Sequence, residues 1–107
     1  MNLDKLMAKN VGRCRHKWAK HVAFVMRGSN MISIASNRDE THAEVAALNR
    51  LWPSERKGTK MYSLRMTRSG TWAMARPCPN CWRYMKESGV KTVHYTDESG
   101  RVQMEKL

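Results

Sequence analysis

Val22-Ala23-Phe24-Val25-Met26, then Gly28-Ser29-Asn30, then Met31-Ile32-Ser33-Ile34-Ala35-Ser36 is the stretch on which the fold turns. A strand with one face in water alternates apolar and polar residues. The first run does not alternate, so it reads as a strand buried on both faces. Gly28-Ser29-Asn30 is a turn signal, and Met31 to Ser36 reads as a second strand. So short a connection makes the pair an antiparallel hairpin.

Upstream of the hairpin, Asn2 can cap a short helix that places Leu3, Leu6, Met7 and Val11 on one face, with Gly12 as its terminator. Arg13 to His16 is a basic connection. Downstream, Asn37 to Thr41 is a polar loop, and Thr41 with Glu44 three residues on has the pattern of a capping box. Ala43, Ala46, Ala47 and Leu48 support a helix from His42 to about Leu51, which Pro53 ends. Ser54 to Thr59 reads as a basic loop. Met61 to Thr67 alternates, with Tyr62, Leu64 and Met66 on one face, as a third strand does. Arg68 to Arg76 reads as a loop containing Trp72. Pro79 suits the first turn of a helix running to about Ser88, closed by Gly89. Lys91 to Thr96 is a fourth strand, Glu98-Ser99-Gly100 a turn, and Arg101 to Glu105 a fifth strand.

The expected order is α-β-β-α-β-α-β-β. The two later helices act as crossovers, so strands one, three and four are expected to be parallel neighbours. The last connection is too short to cross over, so strand five should run antiparallel to strand four.

At 107 residues with 41% hydrophobic content, the chain reads as one folded domain spanning 1–107. No apolar run is long enough for a membrane helix. Charges inside the Met1 to Lys9 segment argue against a secretory leader, which points to the cytoplasm. Three cysteines in such a compartment suggest metal or redox chemistry rather than a disulfide framework. The net charge is +11, and from Arg56 to Lys86 there are eight Lys and Arg and no acid. A field of that sign attracts polyanions, although a solubility surface on a small basic protein has the same composition.

Two short motifs carry the chemistry: His42-Ala43-Glu44 and Pro77-Cys78-Pro79-Asn80-Cys81. Cys78 and Cys81 stand three apart at a helix start, so both can face one point, and the helix N-terminus favours their thiolates. Zinc takes sulfur and imidazole ligands, and a catalytic zinc keeps three protein ligands and one open position. His42, Cys78 and Cys81 supply such a set. Two thiolates and a neutral imidazole leave the zinc formally uncharged. Glu44 is not needed as a ligand, and a carboxylate in that place can take a proton from water and pass it on. The alternative is a closed structural zinc with Cys14 or His16 as fourth ligand, which leaves Glu44 without a task.

At these residues the chain resembles the cytidine deaminase-like superfamily. The likeness runs from about Val22 to Gln103. It includes Ser36-Asn37, Thr41 to Leu48, Arg76 to Cys81, and Val90-Lys91-Thr92-Val93-His94-Tyr95-Thr96-Asp97. The resemblance implies a three-layer α-β-α fold on a five-stranded mixed sheet with a C-terminal antiparallel hairpin. It implies hydrolytic deamination of a nucleobase, with zinc on His42, Cys78 and Cys81 and proton movement by Glu44. Asn37 matches a position that contacts the sugar, and the Ala43 amide matches one that contacts the base carbonyl. The resemblance also implies that small domains of this fold often lean on neighbouring copies to complete their pockets, so a homo-oligomer is possible, although no interface is readable in the sequence.

A histidine as first ligand is similar to the deoxycytidylate, polynucleotide-cytosine and tRNA-adenosine branches. The tight last hairpin resembles instead the free-cytidine and bacterial-toxin branches. Trp72 and Trp82 flank the cysteines and can stack a base, while helix packing is the ordinary role for Trp82. Arg76 can meet phosphate. His16, His21 and His94 carry no assigned role. The expectation is conversion of cytosine to uracil in a nucleoside, nucleotide or single-stranded nucleic acid. Adenine deamination in RNA and a catalytically inactive, basic nucleic-acid-binding module with structural zinc are the alternatives.

Overall fold

A computed structural model describes residues 19–36, 42–67 and 69–107. β1 (Ala19–Arg27) and β2 (Asn30–Ser36) form the antiparallel hairpin. Its two-residue turn begins with Gly28 at φ 61°, a left-handed conformation that glycine adopts without steric cost. Val22, Ala23, Phe24 and Val25 have no solvent exposure. Alternate residues of β1 feed two separate clusters. Ala23 and Val25 pack with Met61, Val93, Met85, Ala47 and Leu48, whereas Val22, Phe24 and Met26 pack with Leu64. That division is why the run is apolar throughout.

The chain continues through α1 (Ala43–Asn49), the single turn α2 (Pro53–Arg56), β3 (Lys60–Thr67), β4 (Trp72–Ala73), α3 (Pro79–Ser88), β5 (Thr92–Thr96) and β6 (Val102–Lys106). The sheet order is β2-β1-β3-β5-β6, with β4 paired to β3. The described residues thus form a mixed α/β sheet with helices packed against it, consistent with a generic three-layer α/β/α fold of which they supply the sheet and one helical layer. α1 and α3 both pack on the face that carries Ala23, Val25, Met61 and Val93. The helix expected at 2–12 lies outside the described residues.

Four expectations need correction. β1 pairs with β3 antiparallel, not parallel; among the described strands the parallel hydrogen-bonded pair is β3 with β5. The hairpin reverses the chain before α1 crosses over, so the strand parallel to β3 is β2, and β1, lying between them, runs against both. Among the described residues the sheet has six strands rather than five, because Trp72 and Ala73, read as loop, pair with Met66 and Arg65. Pro53–Arg56, also read as loop, is a helical turn with Pro53 at its start, and Glu55 Oε1 accepts the Trp52 amide at 2.9 Å. Finally, α1 is capped by His42 without a side-chain hydrogen bond. Thr41, the expected cap, lies outside the described residues.

α3 follows its sequence signals closely. Pro79 sits in the first turn, and Gly89 closes the helix at φ 88°. A Cβ at Gly89 would lie 3.1 Å from the Lys57 Cα, so the position demands glycine for space as well as for conformation. α1 and α3 are fastened together by the Tyr84 hydroxyl, which donates to Asn49 Oδ1. Ser33 Oγ, on β2, donates to the Ala47 carbonyl at 2.7 Å and fixes α1 to the sheet. No helix among the described residues is long and apolar enough to cross a membrane.

β5 and β6 form the antiparallel hairpin expected at the C-terminus. Its turn is organised by Asp97. Oδ2 accepts from Gln103 Nε2 at 2.7 Å, while Oδ1 accepts from the Ser99 and Arg101 amides at 2.9 Å and from the Ser99 hydroxyl at 2.7 Å. The Gln103 and Ser99 side-chain donors lead in stabilising the carboxylate, lowering its pKa from 3.8 to about 2. A depressed carboxylate contributes stability above its unfolded value and loses it as pH falls through the folded value. Acid should therefore loosen this turn only as pH drops from about 4 towards 2. A carboxyl NMR titration should place the Asp97 midpoint near 2; an ordinary carboxylate midpoint would show that these bonds do not form in solution.

Candidate metal centre

The two motifs meet at the N-terminal ends of α1 and α3. His42 is the N-cap of α1, so Ala43 and Glu44 occupy its first two positions. Cys78 is the N-cap of α3, and Cys81 lies in its first turn. β2 and β3 are parallel, so both connections leave the same end of the sheet, the end where α/β sheets bind ligands.

The ligand atoms of His42, Cys78 and Cys81 all lie within 4.8 Å of one another, a cluster capable of holding a metal ion. His42 Nδ1 is 3.2 Å from Cys81 Sγ and 3.8 Å from Cys78 Sγ. Tetrahedral zinc with ordinary Zn–N and Zn–S bonds sets nitrogen–sulfur separations of about 3.5 Å. The donor set fits zinc in both chemistry and spacing. His42 is exposed and Cys78 half-buried, so one side of the cluster opens to solvent, while Cys81 is buried. Burial pushes the Cys81 thiol well above its ordinary pKa, and the adjacent Glu44 carboxylate pushes the same way. A divalent cation reverses that balance by stabilising the thiolate.

Glu44 is the most unusual residue of the region. It is 1% exposed, and no well-formed hydrogen bond reaches its Oε1 among the described residues. A carboxylate is rarely buried without partners, because the loss of hydration costs several kcal/mol, of order 3–5 when a charge is left uncompensated. A neighbouring metal ion and its solvent would supply what Glu44 lacks.

Sequence reasoning missed His21. Its Nε2 lies 3.1 Å from Glu44 Oε1 and 2.6 Å from Ser63 Oγ. Burial pulls the imidazole below its ordinary pKa, against the raising effect of Glu44; Arg65 and His42 lower it further. Strand alternation offered one clue. His21, Ala23 and Val25 share a face of β1, and that face carries the helices. The pairing with β3 could not be found while β1 was taken as parallel to it.

The remaining candidates fall in three places. Ala43 is fully buried at the start of α1. Arg76 is held by Glu105 at 2.7 Å and lies 4.6 Å over the Trp82 ring. The Tyr95 hydroxyl also donates to Glu105 at 2.7 Å, so this cluster ties β6 to the segment leading into Cys78. Its bonds raise the pKa of Arg76 and lower that of Glu105. Trp72 packs with Val22, Phe24 and Leu64, the cluster on the other face of the sheet. Asn37 lies outside the described residues, as do Cys14 and His16, the alternative zinc ligands. His94 stacks on Tyr62, which stacks on Phe24, with ring centroids 4.4 and 4.8 Å apart.

Comparison of the chain with protein-family models, curated proteins and solved structures gives no match.

Proposed function

We propose that the chain is a zinc-dependent hydrolytic deaminase of the cytidine deaminase-like kind, converting cytosine to uracil in a nucleotide or a short single strand. The observation that carries this reading is a buried, under-bonded carboxylate beside a His-Cys-Cys donor cluster that is open to solvent. A structural zinc site has no use for Glu44, whereas a hydrolytic site does.

His42, Cys78 and Cys81 would hold the metal. Zinc, when bound, supplies Lewis acidity that makes water nucleophilic at neutral pH. Glu44 takes a proton from the attacking water and delivers protons to ring N3 and to the exocyclic amine. A C4–O bond forms, the C4–N bond breaks, and nitrogen leaves as ammonia. The Ala43 amide and Asn37 orient the base and the sugar. Arg76 meets phosphate, and Trp82, beneath its guanidinium, lines the approach, whereas Trp72 packs on the other face of the sheet. The basic composition of the chain favours an anionic substrate.

An ammonia-release panel tests this reading. It compares cytidine, deoxycytidine, their phosphates, single-stranded DNA and RNA, and the matching adenine compounds, each at two salt concentrations. Release from cytosine compounds, falling steeply with salt for the phosphorylated ones, is the expected result. Release from adenine compounds alone would replace the base assignment, and no release from any compound would remove the enzyme reading.

A further inference from the structure

The Ser63 hydroxyl sits between His21 and the Ala75 carbonyl. It donates to that carbonyl at 2.9 Å, in a buried position. A hydroxyl has one proton to give, so towards His21 it can only accept. The 2.6 Å contact with His21 therefore requires a proton on Nε2. The same nitrogen lies 3.1 Å from Glu44 Oε1, against the carboxylate but outside hydrogen-bond geometry.

We propose that His21 is the positioning residue for Glu44: its Nε2–H, oriented by Ser63, backs the carboxylate from the sheet side and aims it at the His42–Cys78–Cys81 cluster. This inference rests on the reading of Glu44 as the proton-moving group. Three secondary-structure elements contribute. β1 carries His21, β3 carries Ser63, and the first turn of α1 carries Glu44. The antiparallel pairing of β1 with β3 sets Ala23 opposite Ser63, which places His21 diagonally within reach of it. A buried carboxylate with one facing donor keeps the orientation that general acid–base catalysis needs, and partners of this kind typically change activity 10- to 100-fold when removed.

The test uses the zinc-loaded full chain and two variants. His21→Leu keeps the approximate volume and removes the donor; His21→Gln restores an N–H near the Nε2 position. With the cytosine compound released fastest in the panel, His21→Leu should lower kcat about 10- to 100-fold while KM and zinc content stay unchanged. His21→Gln should recover most of that loss. A purely structural role would move stability and not kcat, and would not be rescued by the amide. Unchanged kcat in His21→Leu, or a His21→Gln variant as slow as His21→Leu, overturns the proposal. Imidazole nitrogen NMR gives an independent readout. His21 should show the Nε2–H tautomer, and its Nε2 proton should shift in Glu44→Gln. An Nδ1–H tautomer, or a resonance blind to Glu44→Gln, overturns the proposal even where kinetics are silent. Should wild type release ammonia from nothing in the panel, the deaminase reading falls, and the His21–Glu44 link is decided by the NMR result.

Discussion

Glu44→Ala is expected to bind one zinc ion per chain, as is expected of the wild type, and to lose ammonia release by about 10²- to 10⁴-fold or more, the range for a general acid–base group. Both halves of this result matter. The three ligand atoms come from His42, Cys78 and Cys81, so metal should survive the loss of Glu44. Zinc analysis and an ammonia assay on the same sample check it. Loss of zinc along with activity would make Glu44 a ligand and favour a structural site.

The same residue should lower the stability of the metal-free protein. Glu44 is buried, and its Oε1 lacks a well-formed hydrogen bond among the described residues. Replacing it with glutamine removes a buried charge and is expected to stabilise the metal-free chain by about 1–3 kcal/mol. For a domain of this size, each kcal/mol moves the thermal midpoint by roughly 4–8 °C. A site that sacrifices stability for chemistry gains stability when the chemistry is removed. An unchanged or lower midpoint in metal-free Glu44→Gln would show that the carboxylate is already well satisfied.

Zinc removal is expected to have the second large effect. A metal held by His42, Cys78 and Cys81 would join the N-terminal ends of α1 and α3, two elements also fastened by the Tyr84–Asn49 hydrogen bond and by packing. At free zinc a hundred times Kd, binding stabilises the folded state by about 2.7 kcal/mol. Chelation should therefore lower the midpoint by roughly 10–20 °C. Cys81→Ser should abolish the difference between zinc-loaded and chelated samples. The gap should also widen as pH rises through neutrality. Burial and Glu44 raise the Cys81 pKa, so its thiol keeps its proton in the metal-free fold, and zinc must displace that proton. Metal-free stability follows the opposite sign. A raised thiol pKa contributes stability below the unfolded value, and that contribution is lost as pH climbs above it. Calorimetry across pH, with and without chelator, separates the two trends. A midpoint indifferent to chelation would deny that the cluster holds metal in solution.

Much of the architecture was legible where local chemistry decides it. Pro79 and Gly89 bracket α3 because one fixes φ at a helix start and the other adopts the left-handed closing residue. The hairpins at Gly28 and at Asp97 were legible because their connections are too short for anything else. The sense of the β1–β3 pairing was not. It depends on which strand the first crossover leaves, a matter of chain path rather than of any residue. Trp72–Ala73 was missed because a two-residue strand has no periodicity, and its hydrogen bonds come from an edge of β3 that the sequence does not advertise.

The metal cluster divides in the same way. His42, Cys78 and Cys81 were readable because zinc ligands are few in kind and their spacing within a helix turn is a local property. Glu44 was readable as the carboxylate left over. His21 was not, since its role comes from a diagonal across two antiparallel strands and a hydroxyl with its proton committed elsewhere. By itself, the sequence determined the longer elements, the two-sided burial of β1 and the donor set of the candidate metal cluster, because each follows from torsional preference, periodicity or ligand chemistry over a few residues. Only the tertiary structure decided the direction of β1 against β3, the burial of Glu44 and its placement against His21, because those depend on how distant segments are brought into register.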